Sequence, residues 1–142
     1  MSLNWKLYTN STSPYLFSVK YPSTETPRVI DKVYTTVAFE ITPNGDISTQ
    51  NNGQTISFYQ TNDPLKVVVE MAKVDLPSDY SVATFPETVG DEPAIEMMVT
   101  KPSDSSRALY IFVKHNEILY EIAGLSSDQN LPMLVQSLEF AK

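Results

Sequence analysis

Four carboxylates are the side chains in this sequence whose types and spacing could support catalysis. Asp91, Glu92 and Glu96 lie close together along the chain, and Glu121 is expected near them in space. An acid and a base on facing strands can cleave glycosidic bonds. Because carboxylates beside a proline turn are more often solvated than catalytic, a carboxylate-dependent hydrolase, for example one acting on glycans, is the alternative hypothesis here.

Other catalytic groups are scarce in this sequence. The single histidine, His115, falls at a predicted hairpin tip, where a base would be solvated and a role in the turn is favoured. There are no cysteines, which excludes thiolate chemistry, disulfides and cysteine ligands for zinc. The polar residues around Gly45 lack the alternating ligands of a calcium loop. We therefore expect no catalytic, cofactor-binding or metal-binding residues.

Length and charge limit the class of protein. A chain of 142 residues with a net charge of −7 is expected to form one acidic domain over residues 1–142, and we expect a monomer. The acidity argues against nucleic acid and anionic membranes as partners, because both need a basic surface. No apolar run approaches the roughly 18 residues of a membrane-spanning helix, so direct membrane insertion is not expected. Residues 1–3 could be an expression scar.

Residues 107–125 predict a β-hairpin, because two apolar runs meet in a short polar stretch. A two-residue turn at His115 and Asn116 is expected, since both positions of such a turn need φ > 0 and both residue types are enriched there. Counting outward from that turn gives the register: Lys114 opposite Glu117, Phe112 opposite Leu119, Ile111 opposite Tyr120 and Leu109 opposite Ile122. The hairpin is therefore expected to be a central pair of strands in a covered sheet.

The end of the chain predicts an amphipathic helix of two to three turns. Apolar residues recur there at i, i+3, i+4 and i+7, namely Leu131, Leu134, Val135 and Leu138. Pro132 suits the first turn, and Asn130 is a candidate N-cap. We expect this helix to cover the hairpin face that carries Leu109, Ile111 and Ile122.

The remaining chain is expected to be mostly extended. Alternating or continuous apolar side chains predict strands at residues 4–9, 15–21, 33–41, 56–59, 65–74 and 93–100. Residues 77–89 leave open a short helix capped by Ser78. Together these elements predict a single antiparallel sheet with few helices, which is the fold class α+β.

Polar loops are the candidate partner-contact sites, because loops on a rigid sheet often carry recognition. The longest polar stretch, residues 42–55, is expected to be the most mobile loop. The candidate contact residues are Asn44, Asp46 and Asn52 in this loop, and His115 and Asn116 at the hairpin tip.

Five segments resemble the PsbP-like domain family, and they are spread along most of the chain: residues 4–10, 17–22, 92–95, 110–122 and 134–140. The chain departs from the family pattern at two surface loops. Residues 24–27 stand where bacterial members often have an aromatic, and His115-Asn116 stands where an Asn-Gly turn is usual. The shared motifs are packing motifs, so the resemblance bears on the fold first.

The resemblance implies a fold and a class of function. PsbP-like domains have an α-β-α sandwich around a central antiparallel sheet, and a related fold belongs to a nuclear import factor that binds the Ran GTPase. Photosynthetic members are non-catalytic extrinsic subunits of an oxygen-evolving complex, while many bacterial members resemble exported lipoproteins of unassigned role. We therefore expect a non-catalytic interaction or assembly module with an unknown protein partner and no cofactor.

The same resemblance bears on location. We expect an extracytoplasmic or membrane-tethered bacterial protein, anchored by lipid through an N-terminal segment that precedes this sequence. A lipoprotein is anchored at a cysteine, which would be lost together with that segment. The alternative is a cytoplasmic protein that begins at Met1.

Overall fold

The structure, a computed structural model, describes residues 4–31, 34–42, 53–103 and 106–141, and most of these are in strands. Of the described residues, 55% are in strands and 14% are in two helices. The elements in chain order are β1 (Trp5–Asn10), β2 (Phe17–Pro22), β3 (Thr26–Asp31), β4 (Thr35–Glu40), β5 (Gln54–Gln60), α1 (Leu65–Val74), β6 (Ser81–Val89), β7 (Glu92–Thr100), β8 (Arg107–His115), β9 (Ile118–Leu125), α2 (Leu131–Ser137) and β10 (Glu139–Phe140).

The described strands form two antiparallel sheets. The larger sheet has the order β3-β4-β5-β9-β8-β7-β6, and the smaller has the order β1-β2-β10. Side chains alternate between the two faces of the larger sheet. One face shares a buried cluster with β2 and α2, and the other shares a second cluster with α1.

The prediction of an α+β fold with an α-β-α sandwich is wrong, because the described residues are mostly in two sheets and only two short helices accompany them. α1 has ten residues and α2 has seven. On the α2 side the small sheet supplies much of the covering layer, with Phe17, Val19 and Tyr21 of β2 buried in the same cluster as the α2 residues. The protein is therefore β-rich, with two sheets and two short helices in its described part.

Several strands predicted from alternating side chains are confirmed. The predictions at residues 4–9, 15–21, 56–59 and 93–100 correspond to β1, β2, β5 and β7. The prediction at residues 33–41 corresponds to β4, although Ile41 is exposed and Val33 lies outside the described residues. Most of the predicted mobile loop, residues 43–52, also lies outside them.

The prediction of a strand at residues 65–74 is wrong, because this segment is α1. A nearly continuous apolar run does not by itself distinguish a strand from a helix. The ten-residue length favours a helix, and so does the spacing of Leu65, Val68, Val69 and Ala72, which all pack in the α1-side cluster. Pro64 precedes the helix with a φ of −59°, which suits a helix start.

The helix left open at residues 77–89 is replaced by strand β6. β6 lies at one edge of the seven-stranded sheet. Pro86 has no backbone N–H to donate, and an edge strand tolerates that loss because its outer side has no partner strand.

The predicted hairpin is confirmed, but its turn is one residue further along the chain. His115 pairs with Ile118, so the turn residues are Asn116 and Glu117, with φ of +51° and +64°. The predicted turn at His115-Asn116 and the predicted pairing of Lys114 with Glu117 are therefore wrong. The observed register differs from the predicted one by two residues, and an even shift leaves every side chain on its predicted face.

Glu117 gives a direct test of this turn. Replacing Glu117 with Gly should raise the free energy of unfolding by about 0.5–1 kcal/mol, because Gly adopts the left-handed region without the steric penalty of a side chain. Glu87→Gly is the control, since Glu87 is an exposed residue within β6, and it should lower stability by about 0.5–1 kcal/mol. Urea denaturation of both variants measures the difference. A destabilised Glu117→Gly protein would contradict the turn.

The predicted packing of the last helix on the hairpin is confirmed. Ile111, Ile122, Leu134 and Leu138 are buried in one cluster, and Leu109 packs at its margin. A Cβ added at Gly124 of β9 would lie 3.2 Å from the side chain of Leu131, which shows how closely α2 approaches the sheet. Asn130 is the N-cap residue of α2 but makes no side-chain capping bond.

Candidate functional site

The residues predicted to contact a partner fall into two groups. Asn44, Asp46 and Asn52 lie outside the described residues. His115 is the last residue of β8, and Asn116 occupies the exposed first position of the following turn. Only the hairpin-tip residues can therefore be placed in the structure.

His115 is held by neighbouring side chains at the hairpin tip. Its Nδ1 lies 3.2 Å from Oε2 of Glu92, and its ring stacks on Phe140 with centroids 4.5 Å apart and planes 7° apart. Phe140 in turn contacts the buried Tyr120, with ring centroids 4.8 Å apart. These contacts give His115 a structural role, because they tie the tip to β7 and β10.

The four carboxylates considered for catalysis lie at different places. Asp91 and Glu92 are at the β6–β7 turn. Glu96 pairs with Ile111 and so lies on the α2 side of the sheet, whereas Glu121 pairs with Phe112 and lies on the α1 side. The sheet therefore separates Glu96 from Glu121, and the facing pair that the hydrolase hypothesis needs is not formed by these two residues.

Apolar side chains lie on two faces of α1. Val68 and Val69 are buried against the sheet. Val67, Met71 and Val74 follow one another at i, i+4 and i+7 on the outer side, and they are 42%, 58% and 81% exposed. We call these three side chains the α1 ridge. They line a shallow depression of about 400 Å³ on the protein surface.

A cavity of about 320 Å³, which we call the α1 groove, adjoins the α1 ridge. Met71 and Asp75 line both the depression and the groove, so the two are continuous. The groove is lined by residues from α1, the strands beneath it and the segments that flank them: Tyr34, Tyr59, Asp63, Val68, Met71, Ala72, Asp75, Phe112, Leu119 and Glu121.

The α1 groove combines apolar walls with acidic groups. Phe112 and Leu119 are buried side chains of its wall. Tyr34 and Tyr59 stack with ring centroids 4.5 Å apart and planes 25° apart. Burial raises the pKa of the Glu121 carboxyl. The pKa of Tyr59 is also raised, mainly by burial and to a smaller extent by the nearby Tyr34, Glu121 and Asp63. A mostly apolar cavity with a few convergent polar groups and shifted pKa values is typical of a binding site.

A second group of polar side chains, the Glu25 cluster, joins Glu25, Gln54 and Asp128. Glu25 and Gln54 are 4% and 1% exposed. The side-chain nitrogen Nε2 of Gln54 donates to Oε2 of Glu25 at 3.1 Å and also to Oδ2 of Asp128. Among the described residues, Oε1 of Glu25 and Oε1 of Gln54 have no hydrogen-bond partner.

Burial, opposed by the Gln54 hydrogen bond and reinforced by Asp128, raises the pKa of Glu25 from 4.5 to about 7. Gly53 allows Gln54 to reach this position, since it has a φ of +100° and a Cβ there would lie 1.9 Å from the carbonyl oxygen of Phe39. The Glu25 cluster can hold a proton near neutral pH. Its burial leaves little surface for a substrate to reach.

Metal-binding clusters and membrane-spanning helices are both missing from residues 4–31, 34–42, 53–103 and 106–141. No group of three or more His, Cys, Asp or Glu residues in these ranges could hold a metal ion. None of the helices in the same ranges has both the length and the apolar character needed to cross a membrane.

Sequence reasoning missed both the α1 groove and the Glu25 cluster. The helical spacing of Leu65, Val68, Val69 and Ala72 could have indicated α1 and, with it, a second apolar face at Val67 and Met71. No local pattern could have indicated the Glu25 cluster, because Gln54 and Asp128 are 74 residues apart in the chain.

Comparison with known proteins does not assign this chain to a family. No protein-family model matches the chain, and no curated protein matches it. The resemblance to PsbP-like domains therefore stays a prediction that is carried by the residue motifs.

Proposed function

We propose that this protein is a non-catalytic interaction module that binds a protein partner through the α1 ridge and the adjoining α1 groove. The observation that carries this proposal is the exposure of Val67, Met71 and Val74 on one side of a helix whose opposite side is already buried. Contiguous exposed apolar side chains on a soluble domain commonly mark an interaction site.

Two further properties of this surface support the proposal. Met71, at the centre of the α1 ridge, has a flexible and polarisable side chain that adapts to a partner surface. The α1 groove lies next to it and provides a pocket into which a partner side chain could anchor, as buried anchors do at energetically dominant interface positions. The hairpin tip and the loop at residues 42–55 are candidates for additional contacts.

The resemblance to PsbP-like domains supports the same class of function and adds a location. We propose that the protein works outside the bacterial cytoplasm as a PsbP-like assembly component, tethered at a membrane. Its net charge of −7 favours a protein partner over anionic lipid as the surface that it contacts.

A triple variant tests the proposed surface. Val67→Ser, Met71→Ser and Val74→Ser together should lower the affinity for the partner at least tenfold, because the variant removes the exposed apolar area without touching the buried face of α1. The partner is first captured from the native organism with the wild-type protein. Its affinity is then measured with both proteins purified.

The matched control is the triple variant Leu7→Ser, Val29→Ser and Ile41→Ser, whose positions are 63%, 55% and 58% exposed away from α1. It should bind the partner as the wild-type protein does, and both variants should keep the wild-type melting temperature within a few degrees. Equal binding by the α1 variant, or the absence of any partner that the purified wild-type protein binds, would overturn the proposal.

A further inference from the structure

The α1 groove contains a carboxylate that has no counter-charge. Glu121 lines the groove from β9, and no described side chain forms an ion pair or a hydrogen bond with its carboxyl group. Asp63 and Asp75 line the same groove. A partly buried carboxylate is stabilised when a cation lies beside it. The residues that line the groove do not provide such a cation for Glu121.

Three lysines near this region do not supply that cation. Lys66 lines the adjoining depression and is not among the residues that line the groove. None of the described lining residues is Lys, Arg or His. Lys73 forms an ion pair with Glu70 at 3.1 Å, and Nζ of Lys114 donates to the backbone oxygen of Asp63 at 2.9 Å. Both amino groups are therefore directed to other acceptors.

The shape of the groove selects among cations. The stacked pair of Tyr34 and Tyr59 provides aromatic surface beside Glu121, and aromatic faces attract cations, arginine more often than lysine. Met71 and Ala72, which are accessible in the same lining, provide apolar surface that suits an aliphatic stem. A planar guanidinium can stack on an aromatic ring and bind a carboxylate through two parallel hydrogen bonds, whereas an ammonium cannot. A volume of about 320 Å³ is enough for one long side chain.

We infer that the α1 groove binds the guanidinium group of an arginine side chain from the partner protein. The cation lies between Glu121 and the Tyr34–Tyr59 pair, and the aliphatic stem of the arginine packs on Met71 and Ala72. This inference rests on the proposed function, because it assumes that the partner covers the adjoining α1 ridge.

n-Butylguanidinium, an analogue of the arginine side chain, is the first probe. Titration followed by amide NMR should shift the signals of Tyr59, Leu119 and Glu121 saturably at millimolar concentration. N-butylurea, which has a similar shape without the charge, should give no saturable shift. Glu121→Gln should weaken binding of the cation about tenfold or more. Glu96→Gln, on the opposite face of the sheet, should leave it unchanged.

The second probe is the partner captured through the α1 ridge, for which Glu121→Gln should also lower affinity about tenfold. If Glu121→Gln does not fold, Tyr34→Leu replaces it, because Tyr34 is 48% exposed and its ring forms one side of the site. Absence of saturable cation binding, or equal binding by the variant, overturns the inference.

The outcomes distinguish this inference from the proposed function. Partner binding that depends on the α1 ridge but not on Glu121 would retain the function and reject the arginine site. If n-butylguanidinium binds the groove but no protein partner binds through the α1 ridge, both the proposed function and the partner arginine are rejected. The groove would then be a site for a free organic cation.

Discussion

Replacing Ile111 with Ala is expected to lower the free energy of unfolding by about 2–5 kcal/mol. Ile111 lies in the interior strand β8, is 4% exposed and pairs with the fully buried Ile122 of β9. Its side chain belongs to the buried cluster that includes Leu134 and Leu138, so its removal loses transfer free energy and leaves a cavity under α2. Urea denaturation with linear extrapolation measures the change.

Leu7→Ala is the matched control for this experiment. Leu7 is 63% exposed in β1, so the same kind of truncation should change stability by less than about 0.5 kcal/mol. A loss under about 1 kcal/mol for Ile111→Ala would mean that this face of the sheet is not the centre of the core.

Replacing Glu25 with Gln is expected to stabilise the protein relative to the wild type as the pH rises. The free energy of unfolding of the variant minus that of the wild type should be about 3 kcal/mol larger above pH 7 than at pH 4.5. The cause is the buried position of Glu25, which raises its pKa in the folded protein from 4.5 to about 7. Below pH 4.5 the carboxyl is protonated in both the folded and the unfolded chain. Its titration then has no effect on stability.

The sign follows from which state releases the proton first. Between pH 4.5 and pH 7 the unfolded chain releases the Glu25 proton while the folded protein retains it. The contribution of Glu25 to the free energy of unfolding therefore falls by about 1.4 kcal/mol for each pH unit in this window. It is lost once the pH has risen past the folded-state pKa. Gln does not titrate, so the variant lacks this loss.

Urea denaturation of the wild-type protein and of Glu25→Gln at several pH values between 4 and 8 measures the effect. Glu139→Gln is the control, because Glu139 is exposed in β10 and its removal should leave the pH dependence parallel to that of the wild type. If the Glu25→Gln curve were also parallel, the Glu25 carboxyl would be ionised in the folded protein at neutral pH. A ¹³C titration of the Glu25 carboxyl gives the same answer directly.

Local patterns explain what could be predicted of the fold. The alternation around Phe17, Val37 and Met97 indicates strands because each strand has one buried face, and each of these residues is buried. The hairpin faces were predictable for the same reason. The exact turn was not, because Asn and His both tolerate φ > 0, and the contacts of His115 with Glu92 and Phe140, which are distant in sequence, hold it in the strand.

The candidate sites were less predictable, because they depend on contacts between distant segments. α1 was missed since its second apolar face makes the run at residues 65–74 continuous and obscures the helical period. Glu121 was considered as a candidate, but its groove requires α1 to pack on that face of the sheet. The Glu25 cluster joins three separate segments whose polar residues individually resemble solvated loop residues.

The pairing of β10 with β2 has a consequence for how the chain folds. Glu139 pairs with Ser18 and Phe140 with Phe17, and the backbone nitrogen of Lys20 donates to Oγ of Ser137 at 2.8 Å across a sequence separation of 117 residues. The central strand of the small sheet, β2, therefore lacks one of its two partners until residues 139–140 are in place. Contacts between segments so far apart raise contact order and slow folding, because loop-closure entropy is lost before the contacts form. Until then β2 has one edge without a partner strand in this sheet.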